Sequence, residues 1–219
     1  MSLKIYADFM SQPSRAVLSL TKICKIPYQL VEIRINKGAH LTPEYIKVNP
    51  LKRIPAIDDN GFLLSESHAI LTYLCQTRNV ADHLYPKDLK KRALIDMYLH
   101  WHHANTRRCE YLFQTLTPEI HPECTTTTEI EEKNVHNCFK YIEDFYLSER
   151  KFISNQEELS IADISCASEI IGLKLAGFDY TPYPVIRDWL KKVFTNSGVK
   201  EAHKVFFKVV EKKKGPIVI

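Results

Sequence analysis

Apolar and polar positions along the first eighty residues change period several times, and each change marks an element. Leu3 to Ala7 is a short apolar run closed by Asp8, which has the length of a strand. Pro13 suits the first turn of a helix, and Val17, Leu20 and Cys24 follow at helical spacing. Tyr28 to Ile33 alternates as a second strand. Thr42-Pro43-Glu44 supplies a capping hydroxyl, a proline that needs no donor and an acid at the positive end of a helix dipole. Ile54 to Ile57 and Phe62 to Leu64 then flank Asp58-Asp59-Asn60-Gly61, and Asn-Gly between apolar runs is a strong hairpin signal. Ser65-Glu66-Ser67 opens a further helix carrying Ala69, Ile70, Leu71, Tyr73 and Leu74.

The resulting order, β-α-β-α-β-β-α, predicts an α/β module of thioredoxin type in which a hairpin completes a mixed sheet. Between Asn79 and Asp88 the pattern becomes irregular around Pro86. We therefore expect an α/β domain over 1–80, a linker over 81–88 and an all-helical bundle domain over 89–219. In the helical part, Leu94, Tyr98 and Trp101 define one face of a long helix running from about Asp88 toward Leu116. Thr117-Pro118 and the Thr125 to Thr128 run interrupt it, and Val135, Phe139 and Ile142 mark a helix over Ile130 to Leu147. Ser160-Ile161-Ala162-Asp163 reads as a capping box with Asp in place of the usual Glu or Gln. Pro184 to Phe194 and Val199 to Val210 give two more helices.

Composition narrows the partners. The 219 residues carry 30 Lys+Arg against 26 Asp+Glu, a formal net charge of +4, and Lys212-Lys213-Lys214 is the one dense basic run. That run reads as a solvated tail, and the weak basic bias argues against nucleic-acid binding. No apolar stretch approaches the roughly 18 residues of a membrane span, and Met1 to Asp8 does not read as a secretory signal. Cys24, Cys75, Cys109, Cys124, Cys138 and Cys166 are far apart with no CxxC pair, so free thiols in a reducing cytoplasm are expected.

Three places carry candidate chemistry. Ser11 and Ser14 flank the start of the first helix, where unpaired N–H groups and the dipole stabilise an anion such as a thiolate; either serine serves equally as a plain cap. Ile54-Pro55 is a candidate cis peptide, although sequence does not reveal the isomer. Glu66-Ser67 at the start of the third helix offers a hydroxyl and amides for a carboxylate and an acid for an ammonium, again with capping as the alternative.

Taken together, these segments resemble theta-class glutathione transferases. Tyr6-Ala7-Asp8, Met10 to Val17, Asn49 to Ala56 and Glu66 to Leu71 carry the resemblance, with Trp101-His102-His103, Arg107-Arg108 and Ser160 to Asp163 further on. The match is dense over residues 3–108, returns at 152–169 and is weak elsewhere. It implies that the Ser11 hydroxyl holds the glutathione thiolate, which is the nucleophile. It also implies a glutathione site of Gln12, His40, Leu41, Arg53, Ile54, Glu66 and Ser67, with the Ile54 backbone pairing the cysteinyl portion as an added strand. Glu66 and Ser67 would take the γ-glutamyl end, His40 and Arg53 the glycine carboxylate, and Arg107 would border the electrophile pocket.

The implied activity is conjugation of glutathione to hydrophobic alkyl or aryl electrophiles, with glutathione-dependent reduction of organic hydroperoxides as a companion. Glutathione is then a co-substrate, no separate cofactor or metal is implied, and a homodimer is the default. Arg53 stands where many relatives carry lysine, and the end at Ile219 suggests a more open electrophile site. The segment 117–129 matches nothing in the class, and we expect a loop near that site. A non-catalytic binding or interaction module of the same fold is the alternative. A thiol-disulfide reductase would need cysteine where Ser11 stands. His100, His102 and His103 read as a polar wall rather than a metal site, Trp101 and Trp189 as core anchors, and Asp163 as a structural cap.

Overall fold

A computed structural model describes residues 3–119, 121–149, 151–153 and 157–215. The chain forms two compact units: Met1–Ala81 with Asn196–Phe206, and Asp82–Thr195 with Phe207–Ile219.

In the first unit, β1 (Leu3–Ala7) alternates buried Leu3, Ile5 and Ala7 with half-buried Lys4 and Tyr6. It pairs in parallel with β2 (Tyr28–Glu32) and antiparallel with β3 (Ala56–Asp59), which pairs with β4 (Phe62–Ser65). The order is β2-β1-β3-β4, the mixed sheet of the thioredoxin-type arrangement. Asn60 and Gly61 both take positive φ, 57° and 91°, as a tight two-residue hairpin requires. The Asp58 carboxylate accepts from the Gly61 N–H at 2.7 Å and fixes that turn.

Helix α1 (Gln12–Ile23) ends one residue before Cys24, which caps it instead of joining its apolar stripe. α1 packs on α3 (Ser67–Thr77), and Val17 and Leu20 of the one and Ile70, Leu71 and Leu74 of the other are all fully buried, each side chain contributing about 1.5–3 kcal/mol by leaving water. Between them, α2 (Pro43–Val48) is capped by Thr42, whose hydroxyl accepts from the Tyr45 N–H at 3.3 Å. A second small core joins Ile33, Tyr45 and Ile54 with Tyr6, Val31, Ala39 and Val48.

The opening of the last helix, α9 (Ser197–Lys214), belongs to this unit. A Cβ on Gly198 would stand 2.6 Å from the backbone nitrogen of Ile23, so only glycine allows this approach to the end of α1. Lys22 and Glu201 pair 2.7 Å apart beside it.

In the second unit, Asp88 caps α4 (Leu89–Ala104) by accepting from the Lys90 and Lys91 N–H groups. The expected long helix is two helices. Asn105 Nδ2 donates to the Trp101 carbonyl at 2.9 Å, taking the acceptor its own backbone N–H would use in a continuing helix. The chain turns there and restarts as α5 (Arg108–Leu116). The buried face of α4 is also displaced from the expected one: Ile95, Tyr98, Leu99 and His102 are inside, while Leu94 is 38% exposed.

Next comes α6 (Thr128–Tyr141), widening into a π turn over Ile142–Tyr146. The buried Glu131 accepts from Arg108, Thr126 and Asn134, which ties the end of the 117–129 segment to α5 and α6. At α7 (Ile161–Ile170) both arms of the Ser160/Asp163 capping box are present. Asp163 does more than cap, accepting also from the Ile153 N–H at 2.8 Å and from the indole of Trp189 on α8 (Pro184–Val193) at 2.9 Å. Lys212 to Lys214 form the last turn of α9, where cations suit the dipole.

Candidate glutathione site

The sheet register gathers the candidate segments of the first unit. Ala56, the first residue of β3, lies between Tyr6 near the end of β1 and Ser65 at the end of β4. The chain leaving β1 toward Ser11, the chain entering β3 through Ile54-Pro55 and the chain leaving β4 toward Glu66-Ser67 therefore meet at one end of the sheet. Ile54-Pro55 is cis.

Ser11 is buried at the N-cap of α1, and its Oγ accepts from the Ser14 N–H at 3.4 Å. That bond uses an oxygen lone pair and leaves the hydroxyl proton to donate, so capping and anion stabilisation coexist. The first turn of α1 holds no acid to oppose an anion. Ser14 differs: it is fully buried, and its Oγ accepts from the Asp8 N–H at 3.4 Å inside the fold. Asp8 in turn receives the Met10 and Ile35 N–H groups at 2.8 and 3.1 Å.

At α3 the capping alternative fails for Glu66. It occupies the N-cap position with φ 70° and ψ 113°, and its side chain makes no cap hydrogen bond. A non-glycine residue held in so sparsely populated a conformation marks a place the fold has over-determined. Glu66 is exposed, while Ser67 is buried at the first helical position.

Gln12 is half-buried at the start of α1. His40 and Leu41 sit in a 3-10 turn, Ala39–Leu41; Leu41 is exposed, and the Nδ1 of His40 is buried with no hydrogen-bond partner among the described residues. Arg53 presents its side chain to solvent, while its carbonyl receives the Tyr45 hydroxyl at 2.6 Å and Asn49 Nδ2 at 2.7 Å. Those bonds fix the backbone at Ile54. Tyr45 escaped the sequence reading, and Asn49 entered it only as part of the Asn49 to Ala56 segment, because an aromatic on a short helix and an Asn before a proline look like packing and a turn.

Cysteine chemistry has no support here. Burial pushes the Cys24 thiol up to about 11 and the Cys75 thiol up to about 12, so neither supplies thiolate near neutrality.

Arg107 belongs to the second unit, between α4 and α5 rather than on one long helix. Its Nη1 lies 2.8 Å from a carboxylate oxygen of the buried Glu169. His102, expected in a polar wall, is buried with the Tyr98 hydroxyl 3.2 Å from its Nδ1; His100 and His103 are exposed. Burial, then the charges of Arg107 and His103, hold the His102 pKa well below its ordinary value. Glu169, 3.6 Å from Nε2, does not reverse this, because that carboxylate is already paired with Arg107. Trp189 is the core anchor expected, whereas Trp101 is half-buried, stacked on Tyr141 at 5.3 Å and lining a cleft with Asn105, Arg108 and Asn134.

Comparison with known proteins identifies the family. A family described as "Glutathione S-transferase, N-terminal domain" matches residues 1–76. Mouse glutathione S-transferase theta-1 is 34% identical, with the alignment covering 100% of this chain and 95% of that protein. The chain belongs to the glutathione S-transferase family. Among solved glutathione transferases, the human T1-1 enzyme in its apo form superposes with a TM-score of 0.84 at 30% identity, covering 98% of this chain and 92% of that one. A human theta-class transferase in complex with the glutathione conjugate of 1-menaphthyl sulfate gives 0.86 at 29% identity, covering 97% and 90%. Among the described residues, no helix is long and apolar enough to cross a membrane, and no group of three or more His, Cys, Asp or Glu is placed to hold a metal ion.

Proposed function

We propose that this glutathione transferase activates glutathione through Ser11. The Ser11 hydroxyl donates to the sulfur and, with the positive end of the α1 dipole, lowers the thiol pKa. The thiolate then attacks a hydrophobic alkyl or aryl electrophile: a carbon–sulfur bond forms, and the leaving group departs with its electron pair. With an organic hydroperoxide the same thiolate attacks oxygen, a second glutathione completes the disulfide, and alcohol and water result. Glutathione is the co-substrate, and no separate cofactor enters either reaction.

The observation that carries this reading is the Ser11 hydroxyl, which caps α1 as an acceptor while its proton stays available. The remaining roles follow from chemistry. Ser67 and the α3 amides, which receive no cap from Glu66, suit the γ-glutamyl carboxylate, and Glu66 suits its ammonium. His40 Nδ1 and Arg53 suit the glycine carboxylate, and the Ile54 backbone suits strand-like pairing with the cysteinyl unit. Gln12 and Leu41 flank the peptide, and Arg107 is assigned to the electrophile side, where it stabilises the leaving group. We assign the protein to the cytoplasm as a homodimer.

Ser11→Ala and Ser14→Ala, assayed beside the parent with several electrophiles and a hydroperoxide, test the assignment. A hydrogen bond to a charged group is worth roughly 1.5–3 kcal/mol, so Ser11→Ala is expected to lower kcat/KM by about 10- to 100-fold. Full activity in Ser11→Ala overturns the role given to Ser11. Glutathione binding without turnover of any substrate by the parent would favour a non-catalytic binding module.

A further inference from the structure

Arg15 is fully buried one turn into α1, where a charged side chain needs a reason to be. Its Nη1 donates to the Phe9 carbonyl at 3.1 Å and to the Met10 carbonyl at 2.8 Å. The Met10 carbonyl shares a peptide plane with the Ser11 nitrogen, so holding it orients the Ser11 backbone. The Arg15 N–H also donates to the Ser11 carbonyl at 3.0 Å. Arg15 thus grips Ser11 from both sides, and the Ser11 N–H closes the turn by donating to the Asp8 carbonyl at 3.1 Å.

The guanidinium is itself held in place. Its central carbon lies 4.1 Å from the ring centre of Phe206, a buried residue from the α9 segment of the same unit. The aromatic face attracts the cation and covers it. His203, one turn earlier on α9, is buried with its Nδ1 2.9 Å from the Val199 carbonyl. Burial, then the charge of Arg15, keeps His203 neutral, so it adds no second positive charge beside the guanidinium.

We propose that Arg15, roofed by Phe206, is a positioning residue: it fixes the Phe9–Met10 carbonyls and thereby aims the Ser11 hydroxyl at the glutathione sulfur. This rests on the role given to Ser11 above. Arg15 acts through Ser11 and does not touch the peptide. Lysine keeps the charge but lacks the planar fork and stacks less well, so Arg15→Lys separates geometry from charge.

The experiment measures the thiol pKa of bound glutathione from the ultraviolet absorbance of its thiolate across pH. The full-length proteins are the parent, Ser11→Ala, Arg15→Lys, Phe206→Leu and the Ser11→Ala/Arg15→Lys double variant, each with its glutathione Kd and kcat. Arg15→Lys is expected to raise the thiol pKa by roughly half a unit to one unit, lowering the thiolate fraction about three- to tenfold at pH well below that pKa, while Kd changes less than roughly twofold. Phe206→Leu shifts the pKa the same way by less, and carries the test if Arg15→Lys does not fold. In the double variant the lysine adds no shift beyond that of Ser11→Ala, because its effect runs through the hydroxyl.

A raised pKa in Ser11→Ala with none in folded Arg15→Lys or Phe206→Leu overturns this inference and leaves the Ser11 assignment standing. An unchanged pKa in Ser11→Ala overturns the Ser11 assignment, and this inference with it. Additive shifts in the double variant overturn the positioning role, since a general loss of packing would act with or without the hydroxyl.

Discussion

The guanidinium of Arg107 stands 2.8 Å from the carboxylate of Glu169, which is 2% exposed, so the cation assigned to the electrophile side is also an internal counter-charge. Arg107→Ala therefore tests two roles at once. Removing one partner of a buried pair is strongly destabilising, and we expect a loss of roughly 3 kcal/mol in urea unfolding at pH 8. Arg107→Ala/Glu169→Gln recovers most of the stability. If activity does not recover with it, the loss of turnover belongs to the electrophile side.

Asp163 joins four donors: the Ile153 and Ser160 N–H groups, the Ser160 hydroxyl and the Trp189 indole. Burial pushes its carboxyl up, against the pull of those four bonds. Asp163→Ala strands donors that cannot reach water, at about 1–3 kcal/mol for each one left unpaired. A loss well above the ~1 kcal/mol of an ordinary cap is expected in chemical unfolding. A loss at or below that figure would show that Asp163 only caps.

Two buried histidines give stability a pH slope. Both His102 and His203 have pKa values held well below the ordinary value by burial, with Arg107 and His103 adding to it at the first and Arg15 at the second. The unfolded chain binds these protons below about pH 6.5 and the folded one does not. Stability from each is thus full above pH 6.5 and falls as the solution is acidified, by up to about 1.4 kcal/mol per pH unit per histidine. Urea titrations between pH 7.5 and 5 should show this fall, and His203→Gln should remove part of it. An unchanged slope in that variant contradicts the neutral state assigned to His203.

Gly198→Ala sets helix propensity against packing. Alanine favours a helix over glycine by about 1 kcal/mol, but here its Cβ would stand 2.6 Å from backbone and 2.8 Å from the Ile23 side chain. Overpacking costs about 1–3 kcal/mol, and a backbone neighbour yields poorly, so destabilisation should win. A higher Tm in this variant would show that the two helices part at little cost.

Much of the fold was legible where its signals are local. Asn60-Gly61 carried the hairpin, Thr42-Pro43 the start of α2, and Ser160 with Asp163 the opening of α7. Each of these is decided within a few residues by backbone chemistry. The readings that failed depended on competition or distance. The sequence reading placed the buried face of α4 one residue away because Leu94 and Trp101 are as apolar as the residues that are buried. The break at Asn105 comes from one side chain taking a carbonyl, which no periodicity reveals. Of the candidate site, the residue types at Ser11, Ile54-Pro55 and Glu66-Ser67 could be read, whereas the strained backbone of Glu66 and the buried nitrogen of His40 could not. Arg15 entered only as part of the Met10 to Val17 segment and was given no role, because nothing local shows that Phe206 lies across from it.

Because Phe206 and Gly198 come so late in the chain, the first unit is not closed by its own first eighty residues. During synthesis, β1 through α3 emerges and can pair its strands, but α1 stays uncovered along the side that α9 later occupies. The loop bearing Ser11 gains its last brace only once Phe206 has been made. Pairing over so long a separation is slow to find. Bracing of the Ser11 turn thus depends on a segment far down the chain as well as on the folding of its own sheet.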